Sequence, residues 1–143
     1  MRNFEQWMSE YGESHQNKTN QTIHKICVPL IMFSVLGILW SIPAPINLAI
    51  TFTIASLIFY FSLNFKYACG MFVQSIAMLA FIQYLAKFTP IHLISIFIFV
   101  LSWIAQFYGH KIEGKKPSFL KDLAFLLIGP LWVLHSIYKK VDI

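Results

Sequence analysis

The sequence predicts an all-α polytopic membrane helix bundle. It has four spans, an N-terminal amphipathic helix and a kinked or re-entrant C-terminal segment. Three observations carry this reading. Hydrophobic residues make up 57% of the 143 residues and charged residues only 12%, whereas a water-soluble domain carries about 25% charged residues. No Asp, Glu, Lys or Arg occurs from Ile26 to Phe65, a stretch too long for one span. Prolines then punctuate the apolar sequence, at Pro43-Ala44-Pro45 and at Thr89-Pro90, where helices end. The same composition excludes a disordered chain and a disulfide scaffold. Cys27 and Cys69 each start an apolar run and form no CxxC, so they read as buried free thiols. The net charge of +5 reads as the basic flanks of membrane spans, with no nucleic-acid partner.

Residues 1–25 are polar and hold three of the six carboxylates. No short apolar region with a small-residue cleavage site follows a basic start, so no signal peptide is expected. Phe4, Trp7, Met8 and Tyr11 fall at i, i+3, i+4 and i+7, one face of a helix. With Glu5 and Glu10 on other faces, this is a short helix in the membrane interface or over the bundle. A span takes about 20 mostly apolar residues. The four expected spans are residues 26–42 and 46–63 in a tight hairpin, then 67–86 and 91–109. Pro29 falls in the first turn of the first, where its missing N–H is tolerated. Lys66 marks the boundary before the third helix, and Lys87 with Thr89-Pro90 the turn before the fourth. Residues 110–117 form a basic connector. Apolar sequence resumes over 118–138, where Gly129-Pro130 predicts a kinked span or a re-entrant pair of short helices. The whole chain, 1–143, reads as one membrane domain.

Charge placement orients the bundle. With the N-terminus cytoplasmic and four spans, Arg2, Lys18, Lys25, Lys66, Lys111, Lys115, Lys116 and Lys121 lie inside and only Lys87 outside. Lys139 and Lys140 join the inside set if the last segment is re-entrant, so the positive-inside rule favours that form. In the absence of a retention signal, a bacterial inner membrane is the preferred location and the endoplasmic reticulum the alternative.

The histidines are His15, His24, His92, His110 and His135. Four crossings bring the residues before the first span and those after the fourth to one side. His15, His24, His110 and Glu113 are therefore expected to meet at one membrane face. Gln106, His110 and Glu113 share a stripe at helical spacing, so His110 and Glu113 can face one ion while Gln106 orients a ligand from one turn earlier. Gly109 permits close approach of another backbone. His15 and His24 are nine residues apart and would point oppositely on one continuous helix. They share a site only if the chain breaks between them, and Asn17-Lys18-Thr19-Asn20 supplies a break. Asn20 as N-cap would put His24 in the first turn of the first span. His92 beside Pro90 reads as an interfacial residue, and His135 as packing among aromatic and aliphatic neighbours. Imidazole suits zinc, copper, iron and nickel, and histidines with a carboxylate and open positions suit non-haem iron(II). No CxxC, HExxH, paired ExxH, GxSxG or phosphate-cradling loop is present.

Two segments carry a family resemblance. Trp7, Tyr11, Ser14-His15-Gln16-Asn17-Lys18-Thr19-Asn20-Gln21-Thr22-Ile23-His24 and Pro29-Leu30 form the first. Gln106-Phe107-Tyr108-Gly109-His110-Lys111-Ile112-Glu113-Gly114-Lys115-Lys116-Pro117 is the second, and Ile128-Gly129-Pro130-Leu131 closes the pattern. Together they resemble the 2-hydroxy-fatty-acid dioxygenase family, small multi-span membrane proteins of fatty-acid and phytosphingosine α-oxidation. The resemblance implies an Fe2+-dependent enzyme that uses O2 to cleave the C1–C2 bond of a 2-hydroxy fatty acid, giving a fatty acid one carbon shorter. It makes His15, His24 and His110 the iron ligands, and Glu113 a ligand or a base held behind them. Glu113 and Gln106 are the candidate catalytic residues, and Lys111 and Asn20 the candidate substrate contacts. His135 falls where a glutamate is expected in the family and is an additional candidate. Lys111, Lys115 and Lys116 would attract the carboxylate to the cytoplasmic mouth, and membrane lipid would surround the acyl chain.

Two other functions compete. A non-catalytic protein that binds lipid or a helical partner would use the aromatics for packing and leave the histidines interfacial. Metal transport would place ionisable groups along the spans, but the polar residues there are Gln74 and a few Ser and Thr, with Gln83 and Gln106 nearer the ends.

Overall fold

The computed structural model describes residues 3–13, 15–114 and 119–141, with the backbone alone over 119–125. Arg2, Ser14, Lys115, Lys116 and Pro117, which the sequence reading uses, lie outside the described residues. The described residues form helices and no strands: α1 (Phe4–Glu13), α2 (Lys18–Ser41), α3 (Leu48–Leu63), α4 (Phe65–Ala86), α5 (Ile91–Glu113) and α6 (Phe119–Lys140). Three of them, α2, α4 and α5, are long and apolar enough to cross a membrane; α3 is apolar but spans 16 residues.

The helix boundaries follow local chemistry. A reciprocal pair of bonds opens α1: Asn3 N–H donates to Gln6 Oε1 at 2.9 Å and Gln6 N–H donates to Asn3 Oδ1 at 2.8 Å, satisfying two donors the first turn leaves open. The first long helix starts at Lys18, eight residues before the expected 26. Pro29 therefore lies inside α2 and not in its first turn. The carbonyl it leaves without a helical donor belongs to Lys25, an exposed residue. Asn47 caps α3, its Oδ1 accepting from Ala49 N at 3.0 Å and Ile50 N at 3.1 Å. Lys66 is not the boundary expected of it but part of α4, because Asn64 ends α3 and begins α4 by itself. Its N–H donates to the Tyr60 carbonyl at 3.0 Å and its Oδ1 accepts from Tyr67 N at 3.2 Å. Replacing Asn64 by alanine should cost about 0.5–2 kcal/mol, read as a lower melting temperature of the detergent-solubilised protein.

By internal contact density the chain divides into two compact units, residues 30–101 and residues 1–29 with 102–143. In the first, α3 and α4 pack on each other, and Ala49, Tyr60, Ala68, Met71 and Ile82 are buried. Small residues let apolar helices approach closely. Three buried hydroxyls donate within their own helices: Ser34 to Ile31 O, Thr53 to Ala49 O and Ser56 to Phe52 O. Ile58, Phe65, Val73 and Phe97 are exposed, a cost in water and a fit to lipid.

In the second unit α1 packs against α6, burying Phe4, Met8 and Tyr11. α6 runs without a break through Gly129 and Pro130, so the pair of short helices is not formed. A helical proline costs about 3 kcal/mol or more. Truncating one packed Leu or Ile costs about 2–5 kcal/mol, and Ile128, Leu131 and Val133 are all buried around this proline. Gly129 makes the packing close: a Cβ there would lie 3.1 Å from Val28 Cγ1 and 3.2 Å from the Tyr11 hydroxyl.

Candidate functional site

The site forms where α1 ends, α2 begins and α5 ends, all within the second unit. The break the sequence requires between His15 and His24 is present: α1 stops at Glu13 and α2 starts at Lys18. The cap, however, is Asn17 and not Asn20. Asn17 Oδ1 accepts from Thr19 N at 2.9 Å and from Asn20 N at 3.2 Å. Asn20 lies in the first turn, fully buried, and His24 comes one turn later.

His15 sits outside the helices, its ring stacked on Tyr11 at 4.2 Å and 5°. Its Nδ1 meets the Tyr11 carbonyl at 2.6 Å, and its own carbonyl accepts from Gln21 Nε2 at 2.6 Å. His24 Nδ1 meets the Asn20 carbonyl at 3.0 Å. A carbonyl only accepts, so in both rings Nδ1 carries the proton. In the neutral form Nε2 is then the unprotonated nitrogen, the one with a lone pair that suits a ligand role. α5 runs one turn beyond the expected 109 and so carries His110 and Glu113 on one helix. His110 is buried, and its Nδ1 has no hydrogen-bond partner among the described residues. Buried polar atoms without partners are rare in folded chains and ask for an explanation.

The three imidazoles converge. Ring centroids are 4.1 Å apart for His15 and His24, 5.4 Å for His24 and His110 and 6.2 Å for His15 and His110. His24 is the central ring, and Trp132 of α6 lies 5.6 Å from His15. With the side chains as they stand, no group of three or more His, Cys, Asp or Glu among the described residues is arranged to hold a metal ion.

The remaining candidates divide. Gln106 is buried one turn before His110. Glu113 Oε1 accepts from Asn17 N at 2.9 Å and from Asn20 Nδ2 at 3.0 Å. Gly109 admits a side chain where the sequence suggested a backbone: a Cβ there would strike Asn20 Oδ1 and lie 3.6 Å from His24 Cε1. Lys111 is exposed at the same helix end. His92 lies in the other unit. His135 packs against Phe4 in a T-shaped contact at 5.7 Å, a role another aromatic ring can take. His135→Phe should therefore leave metal content at the parent level, measured by elemental analysis. The sequence places Asn17 and Tyr11 in the first motif but assigns neither a role at the site. The histidine nine residues upstream of another was the signal that the intervening asparagines hold a site together.

No curated protein and no solved structure matches the chain. A family model does, described as "Mpo1-like: 2-hydroxy-palmitic acid dioxygenase Mpo1-like", over residues 1–141. The match covers nearly every residue, so the chain, with its His15/His24 and His110/Glu113 elements, belongs to the Mpo1-like family.

Proposed function

We propose that the protein is an iron(II)-dependent dioxygenase that cleaves the C1–C2 bond of 2-hydroxy fatty acids and releases a fatty acid one carbon shorter. The observation that carries this reading is the meeting of His15, His24 and His110, from three separate stretches of chain, in a member of a family named for a 2-hydroxy-palmitic acid dioxygenase. The donor set suits iron. His15 and His24 carry the ring proton on Nδ1 and so present Nε2 unprotonated, and the buried His110 Nδ1 has no hydrogen-bond partner among the described residues. Three neutral imidazoles would hold the metal and leave positions for two oxygens of a 2-hydroxy carboxylate and for O2. Bound iron(II) supplies O2 activation.

The chain's own residues do the rest. The carbonyls of Tyr11 and Asn20 fix the tautomers of His15 and His24. Stacking on Tyr11 holds the plane of His15. Lys111, exposed at the end of α5, draws the substrate carboxylate by charge. Gln106, buried below His110, orients the bound head group. The acyl chain stays in the bilayer, which four spans (α2 to α5) cross with the N-terminus in the cytoplasm. The basic residues around both helix ends favour that orientation.

The test is turnover of 2-hydroxypalmitate by detergent-purified protein with Fe(II) in air, with mass spectrometry for the acid shortened by one carbon. Product that requires Fe(II) and vanishes with a chelator supports the reading. Protein that purifies without iron, and gives no product when Fe(II) is added, supports a non-catalytic lipid- or partner-binding role.

A further inference from the structure

Glu113 lies three residues beyond His110 on α5, which would suit a fourth ligand, yet its hydrogen bonds run elsewhere. One carboxylate oxygen accepts from the Asn17 backbone and from the Asn20 side chain, and the backbone of Gln16 also bonds to the carboxylate. These donors lie 93 to 97 residues away in sequence, in the break that carries His15 and the first turn that precedes His24. Asn20 continues the connection, because its carbonyl receives His24 Nδ1. Its side chain passes over α5 where Gly109 has no Cβ to obstruct it.

We infer that Glu113 and Asn20 form a positioning latch that sets His24 against His110, and that Glu113 is a positioning residue and not a metal ligand. The latch fixes the register between the end of α5 and the start of α2. It thereby fixes the spacing of the three rings. Its chemistry needs an acceptor at 113 and a donor at 20. It does not need the negative charge. The inference deepens the iron reading of this site, but the latch is a property of the metal-free chain and is tested there.

The experiment uses full-length protein in detergent micelles, labelled with 15N-histidine, and compares Glu113→Gln, Glu113→Ala, Asn20→Asp and the double variant Asn20→Asp/Glu113→Gln. Ring-nitrogen shifts of the metal-free protein report which nitrogen of His24 is protonated, and titration with Co(II) reports affinity and coordination spectrum. Glu113→Gln keeps an acceptor oxygen, so His24 stays protonated on Nδ1 and the Co(II) spectrum is unchanged. Asn20→Asp sets two carboxylates against each other and Glu113→Ala removes the acceptor. Both bring His24 into tautomer exchange and weaken Co(II) binding about 10–100-fold, the usual cost of losing an outer partner of a ligand. In the double variant the amide now at position 113 donates to the carboxylate now at position 20, and both readouts return towards the parent. A lost Co(II) band in Glu113→Gln makes Glu113 a ligand and overturns the inference. So does a His24 signal that is indifferent to Asn20→Asp and Glu113→Ala. A parent protein that binds no Co(II) while the tautomer pattern follows these variants sinks the metal reading and leaves the latch standing.

Discussion

The His24→Ala protein is expected to purify without iron and to make no shortened fatty acid. His24 is the ring that joins the other two: it lies 4.1 Å from His15 and 5.4 Å from His110, which are 6.2 Å from each other. Removing it deletes one of three donors and separates the remaining two. The loss should exceed the about 10–100-fold that follows removal of an outer partner. Folding should survive, because alanine is the best helix former and the side-chain bond that disappears is local to α2. A melting temperature close to the parent's therefore separates loss of the site from loss of the fold. Iron content and turnover that persist in this variant would show that the three imidazoles are not the metal site.

The second large effect is expected from a single methyl group at Gly109. A Cβ there meets the Asn20 side chain head-on, with Asn20 Cγ at 3.3 Å and His24 Cε1 at 3.6 Å. Asn20 is fully buried and tied to Glu113, so it has no room to yield. α5 or the start of α2 must shift instead. Overpacking of this kind costs about 1–3 kcal/mol, and a displacement of about 1 Å in a reacting constellation costs about 100-fold in rate. Gly109→Ala should therefore lose about two orders of magnitude in kcat/KM with a modest fall in melting temperature. Gly12→Ala is the control. A Cβ at Gly12 meets nothing within 4 Å, and in a helix the change to alanine is stabilising by about 0.5–1 kcal/mol. Equal losses in both variants would mean that the close approach at Gly109 has no bearing on activity.

The sequence makes the all-helical class and the order of the apolar helices readable, because absent charge and paired prolines are coarse signals that survive without tertiary knowledge. It also makes the meeting of His15 and His24 readable, since nine residues on an unbroken helix would separate them and the asparagines between them offer a break. The position of the break is another matter. Asn17 and Asn20 are equally good caps by residue type. What decides between them is that Asn20 is taken up by Glu113, 93 residues away in sequence, a partner that no local rule identifies. The same distance hides the purpose of Gly109, which the sequence marks as a place of close approach without saying what approaches. α6 is where the local rule leaves two answers open. Gly129-Pro130 reads as either a kink or a break, and only the close packing of Tyr11 and Val28 onto Gly129 in a continuous helix decides against the break.

The connection at Asn64 has a practical consequence. One residue serves as the end of α3 and the start of α4, so that corner has no slack. A protease finds no extended strand of backbone to enter there, and an inserted reporter or epitope would break both caps at once. The stretch between Ser41 and Leu48, which contains Pro43 and Pro45 and lies outside any helix, is where such a probe can be accommodated.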